Sequence, residues 1–144
     1  MPTGIYNTQE DVKASLEVLF LEYTYNCSAE QDAFACDGLG AFYNTVKEDR
    51  QTAYKLFAEN CDKRKYGHSC HRLSLMLSKH GSDKPAKEDP MSKEHWVSWE
   101  KKGCDYGFAT SCYNYGAALY QKVHSKASSL RAALGKGSRV VTEH

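Results

Sequence analysis

Six cysteines fall along this chain as three pairs of nearly constant internal spacing: Cys27 and Cys36, Cys61 and Cys70, Cys104 and Cys112. Two pairs read C-x8-C and the third C-x7-C, and the first cysteines of the pairs stand 34 and then 43 residues apart. A period in the thirties is the signature of a helical repeat array, in which one unit cannot bury both its faces and must stack on its neighbours. An even number of cysteines, with one pair at the same place in each unit, predicts one local disulfide per unit. The expected fold is all-α, a right-handed helical-repeat solenoid of three disulfide-linked helical hairpins.

Disulfides persist in oxidising compartments and are rare in cytosol. The opening residues Met1 to Asp11 hold no basic and then apolar stretch of a signal peptide, and Glu10 and Asp11 are out of place in an acid-poor transit peptide. Three resolutions stand side by side. The thiols stay reduced, a signal lies outside this sequence, or the chain enters an oxidising space by a route that reads its cysteines. The net charge of +1 over 144 residues gives no case for a nucleic-acid partner or an anionic membrane. No apolar run approaches the roughly 20 residues of a membrane helix.

Helical periodicity organises the rest. Thr8-Gln9-Glu10-Asp11 resembles a capping box, and Val12, Leu16, Leu19, Phe20 and Tyr23 then share one helical face up to about Tyr25. Further helices are expected at about Glu30–Tyr43, Arg50–Cys61, His68–Ser78, Ser92–Lys102 and Ala109–Gln121. Lys79–Met91, with Gly81, Pro85 and Pro90 among charges, reads as a loop that absorbs the extra residues between the second and third units. Residues 1–7 form a flexible lead, 8–122 the repeat domain, and 123–144 a short capping helix over about Ser125–Leu134 followed by a disordered tail. Each second cysteine opens a common phrase: Cys36-x-x-Leu39-Gly40-x-x-Tyr43, Cys70-x-x-Leu73-Ser74-x-x-Leu77 and Cys112-x-x-Tyr115-Gly116-x-x-Leu119. The small residue in each phrase lets two helices approach closely while the large one fills the space beside it.

The phrases Tyr54-Lys-Leu-Phe-Ala-Glu-Asn-Cys61-Asp62 and Trp99-Glu-Lys-Lys-Gly-Cys104-Asp105-Tyr-Gly107-Phe-Ala-Thr-Ser-Cys112-Tyr-Asn-Tyr-Gly116 resemble the cysteine-bearing class of Sel1-like, TPR-like repeats. The likeness runs over roughly residues 9–121, including the helix before Cys27. It implies a repeat scaffold of the mitochondrial intermembrane space, a monomer whose concave face binds respiratory-chain assembly components during assembly of complex IV. A secreted cysteine-rich repeat protein and a haem-binding redox helper are the alternatives. Members of the family carry about five units, this chain shows three, and Val123–His144 departs from the family continuation.

The cysteines are read as structural. Redox catalysis wants a short C-x-x-C with a depressed pKa, and zinc wants ligands that converge. His68 or His71 could serve as an axial haem ligand, and the absence of C-x-x-C-H excludes covalent c-type haem; the expectation is of no cofactor and no metal. A serine β-lactam hydrolase needs S-x-x-K together with K-T-G, and neither is expected in this chain, so that activity is read as absent. No nucleophile–base pair or carboxylate dyad stands out, so the chain reads as a non-enzyme. Trp96, Trp99, Tyr113, Tyr115 and Tyr120 offer aromatic contacts for a peptide, with the two tryptophans assigned to the core and Tyr113 to the surface. For entry into an oxidising compartment, Phe20, Tyr23 and Cys27 lie on one face of the first helix and form a docking surface for an oxidoreductase whose disulfide exchanges with Cys27.

Overall fold

A computed structural model describes residues 8–79 and 96–137, and these form six helices and no strand. The fold is all-α. The helices are α1 (Gln9–Ser28), α2 (Ala33–Thr45), α3 (Arg50–Asp62), α4 (Gly67–Lys79), α5 (Trp96–Asp105) and α6 (Ala109–Gly137). Each packs on the next in chain order, with a small further contact between α4 and α6. This is the nearest-neighbour stacking of a repeat array.

The three hairpins turn in the same way. Gln31, Lys65 and Gly107 follow the first cysteine of their pairs by four, four and three residues, and all have positive φ (53°, 53° and 90°). The next residue in each case, Asp32, Tyr66 or Phe108, donates its backbone N–H to the carbonyl just before the cysteine: Asn26, Asn60 and Gly103, at 3.0, 3.2 and 2.9 Å. A left-handed residue closing a helix in this manner satisfies carbonyls the helix cannot satisfy itself. The chain therefore reverses within a few residues and brings the second cysteine beside the first.

Helix starts follow local chemistry. Thr8 caps α1 by accepting the Asp11 N–H at 3.1 Å, Asp32 caps α2 through the Phe34 N–H, and Asp49 caps α3 through the Thr52 N–H. The Asp32 cap and the left-handed Gln31 set the start of α2 at Ala33 rather than near Glu30. Instead of ending near Gln121 with a separate short helix after it, α6 runs unbroken to Gly137. Ala, Leu, Lys and Arg after Gln121 favour helix, and no proline interrupts them. The Lys79–Met91 loop, apart from Lys79, the 1–7 lead, Ser92–His95 at the expected start of α5, and the tail after 137 lie outside the described residues.

The core lies between the hairpins. Ala53, Phe57, Cys61, Cys70, Leu73, Met76, Leu77 and Trp99 form one buried cluster. Cys27, Ala35, Cys36 and Leu39 form another, to which Phe20 and Tyr23 of α1 and Leu56 of α3 add. Thus α3 packs on α2, and Leu56 carries it to the cluster that α1 and α2 share. At Gly40 an added Cβ would lie 2.5 Å from the Phe57 ring, so only glycine lets α2 and α3 approach this closely.

Candidate functional site

Disulfides clasp all three hairpins: Cys27–Cys36, Cys61–Cys70 and Cys104–Cys112, with Cα separations of 4.6, 4.9 and 4.4 Å. Closing loops of this size restricts the unfolded chain by about 2–3 kcal/mol each in the chain-entropy account. Five of the cysteines are buried or half-buried, and Cys112 is exposed.

A polar relay crosses the hairpins behind these clasps. Asn60, fully buried, donates to the Ala33 carbonyl at 2.9 Å and meets Ser69 Oγ at 2.7 Å. Ser69 donates to Asp37 Oδ1 at 2.8 Å, and Arg72 Nε bridges both Asp37 oxygens at 3.0 Å. His68 Nδ1 stands 3.7 Å from the same carboxylate. Both oxygens of the buried Asp37 thus meet a donor, as a buried charge requires. Beside it, His71 Nδ1 lies 2.8 Å from Glu100 Oε1, and Glu100 is fully buried. His68 stacks on Phe108 with ring centroids 4.7 Å apart. Burial there pushes the His68 pKa below its ordinary value, with Arg72 and His71 acting in the same direction and Asp37 opposing.

These groups tie α2, α3, α4, α5 and the α6 entry together. Asn60 and Ser69 recur before the matching cysteines as Asn26 and Ser111, a signal that could have found them, whereas Asp37, Arg72 and Glu100 have no counterpart in the other units. Asp37 directly follows a paired cysteine. His68 and His71, the haem candidates, are both engaged here. No group of three or more His, Cys, Asp or Glu able to hold a metal occurs among the described residues.

Contrary to the expectation of no S-x-x-K, the string Ser98-Trp99-Glu100-Lys101 has that spacing. Its lysine does not suit the role of a general base. Lys101 Nζ donates to Asp105 Oδ2 at 3.1 Å, and that bond raises its pKa above the usual lysine value.

The aromatics divide. Trp99 is buried with Lys102 Nζ 4.4 Å over its ring, and Trp96 packs half-buried on the same cluster. Tyr113 and Tyr120 are 77% and 70% exposed. Between α5 and α6 opens a groove of about 690 Å³, mostly apolar, lined by Trp96, Val97, Lys101, Tyr115, Leu119 and Lys122 among others. Phe20 and Tyr23, expected as a docking face with Cys27, pack in the folded chain. Phe20 meets Phe42 and Tyr43 at ring distances of 5.1 and 5.6 Å, and Tyr23 joins the Cys27–Cys36 cluster.

The fold and these sites define a class: a disulfide-clasped array of helical hairpins with an internal polar relay and an open groove at one end. No family model matches the chain. It is similar to proteins named cytochrome c oxidase assembly factor 7. Over 120 residues it is 31% identical to the Drosophila melanogaster homolog, covering 79% of this chain and 42% of the relative. Over 118 residues it is 32% identical to the Xenopus tropicalis protein (78% and 49%), and over 129 residues 26% identical to the human one (83% and 54%). The chain spans about half the length of these curated relatives. No helix among the described residues is long and apolar enough to cross a membrane.

Proposed function

We propose that this chain is a non-catalytic, monomeric scaffold that binds protein partners during assembly of cytochrome c oxidase, and that it does so in the mitochondrial intermembrane space. One observation carries this: three locally clasped hairpins occur in a chain similar to proteins named for that assembly. Clasps of this kind need an oxidising compartment to persist. The equal turns at Gln31, Lys65 and Gly107 support the Sel1-like reading of the repeats. The polar relay supplies rigidity. Both oxygens of Asp37 are held by Ser69 and Arg72, which suits a fixed scaffold.

The same reading assigns the import step to α1. In the reduced, unfolded chain, Phe20, Tyr23 and Cys27 would present one apolar face and a thiol to an oxidoreductase, and folding would then bury all three against α2. Cys27→Ser, or Phe20→Ala with Tyr23→Ala, is expected to cut uptake into isolated mitochondria, while Cys112→Ser changes stability more than entry. Equal uptake of all three variants contradicts this route. The function itself is tested by deleting the gene in its source cells and measuring assembled cytochrome c oxidase on native gels. The expected result is a loss of the assembled complex, restored by the wild-type chain. Unchanged complex in the deletion overturns the proposal.

A further inference from the structure

We infer that the groove between α5 and α6, continued along the open face of α6, is the docking site for an amphipathic helix of a partner protein that carries acidic flanks and a large aromatic or aliphatic anchor seated over Gly116. The inference deepens the scaffold reading by naming the surface and the chemistry of its partner.

The first support is continuity with an interface the fold already contains. Each second cysteine opens the same phrase, and in the first hairpin that phrase builds a seat. Gly40 leaves the gap that the Phe57 ring fills, so α3 packs closely on α2, with Leu56 reaching the cluster that Phe20, Tyr23 and Leu39 share. The third hairpin repeats the construction with Tyr115, Gly116 and Leu119. There a Cβ on Gly116 would meet nothing within 4 Å. The seat is present, and its occupant is absent among the described residues. Gly116 stands where Gly40 meets Phe57 in the first hairpin, and Leu119, one turn along the same face of α6, lines the α5–α6 groove.

Shape and exposure agree. Along α6, Gly116, Leu119, Val123, Leu130 and Leu134 fall within one narrow arc at 100° per residue. The four large residues of this stripe are exposed by 43–67%, with Val123 at 67% and Leu130 and Leu134 at 61%. From Gln121 to Gly135 every side chain but Ala127 is exposed, so this half of α6 projects beyond the body. Spacings of three and four residues make a seam suited to one facing helix.

Charge selects the partner. From Ala109 to Gly137 the chain has no acidic residue. Lys122 and Lys126 border one side of the stripe and Arg131 the other, and Lys101, shared with Asp105, stands at the rim of the groove. A second copy of this chain would set cation against cation, whereas acidic flanks on a partner helix are complementary. An anionic lipid surface would meet the same charges, but it supplies no discrete anchor for the Gly116 seat, and a groove favours a rod over a plane.

The test uses the oxidised full chain and two three-heptad peptides with the same leucine face and central phenylalanine. One has glutamate on its flanks and the other lysine. Binding is followed by the fluorescence of the native tryptophans and by calorimetry. The acidic peptide is expected to bind at least about tenfold more tightly than the basic one, and added salt should weaken it. Lys122→Glu with Lys126→Glu should remove or reverse the preference. Gly116→Leu should block the acidic peptide while circular dichroism and melting remain those of a folded chain, since the new side chain enters open space. Equal affinity for both peptides, no binding of either, or unaltered binding by Gly116→Leu overturns the inference. So does concentration-dependent dimerisation that excludes the peptide, or binding to phosphatidylglycerol vesicles with no peptide binding. Normal oxidase assembly in cells carrying only the Lys122→Glu, Lys126→Glu chain would also remove this surface while leaving the scaffold function standing.

Discussion

The carboxylate of Glu100, buried without any exposure, meets Nδ1 of His71 at 2.8 Å across the boundary between α4 and α5. It is the third hairpin's polar fastening to the second, and it holds at a position where the second hairpin uses Phe57, four residues before its cysteine. The other oxygen of Glu100 finds no hydrogen-bond partner among the described residues. The pair therefore depends on His71.

Removing His71 leaves a buried carboxylate with no partner. His71→Ala is expected to destabilise by about 3 kcal/mol, in the range for breaking a buried pair from one side. The double variant His71→Phe, Glu100→Leu should recover much of that loss, because both polar groups leave together. Urea denaturation of the three proteins checks this. A single-site loss under about 0.5 kcal/mol, the size of an ordinary surface change, would show that the pair does not fasten the units.

The glycines of the common phrase separate packing from propensity. Gly40→Ala puts a methyl 2.5 Å from the Phe57 ring and should destabilise, by about 1–3 kcal/mol as overpacking does. Gly116→Ala enters open space in mid-helix and should stabilise, by up to about 1 kcal/mol from helix propensity. Thermal melting of the two variants gives the signs directly. The same sign for both would mean that the two phrases are not equivalent seats, one filled and one open.

His68 makes stability depend on pH. Burial against Phe108 lowers its pKa in the folded chain, so the unfolded chain takes up the proton first as the pH falls. The stabilising contribution is complete above the ordinary histidine value of about 6.5 and is lost as the pH drops below it toward the folded value. His68→Gln should flatten this fall in stability between neutral and mildly acid pH. Asp37, Arg72 and His71 face the same ring, so the comparison must be made against wild type at each pH. An unchanged slope would place the pH dependence elsewhere.

Much of this architecture was legible from cysteine spacing. The pair spacing located the hairpins because a disulfide needs two backbones close together, and helix–turn–helix geometry supplies that. The Gly40 and Ser74 positions were legible because small residues recur at fixed offsets, and Ser74 is indeed buried. The start of α2 was misplaced because the left-handed Gln31 is not a glycine or asparagine and gave no turn signal. The unbroken α6 was missed because the repeat phrase ends near Gln121, whereas helix propensity does not. The relay through Asn60, Ser69, Asp37 and Arg72 depends on contacts between residues up to 35 apart, and no local pattern announces those contacts. The groove became legible only once Gly116 was seen to have no neighbour where Gly40 has Phe57.

The central claim is that this is a chain of locally clasped hairpins held in an oxidising compartment. It is tested most directly by alkylating the native, unreduced protein taken from its source mitochondria and mapping its cysteine peptides. No free thiol is expected, with Cys27 linked to Cys36, Cys61 to Cys70 and Cys104 to Cys112. Six alkylated thiols, or any link between different pairs, would contradict it.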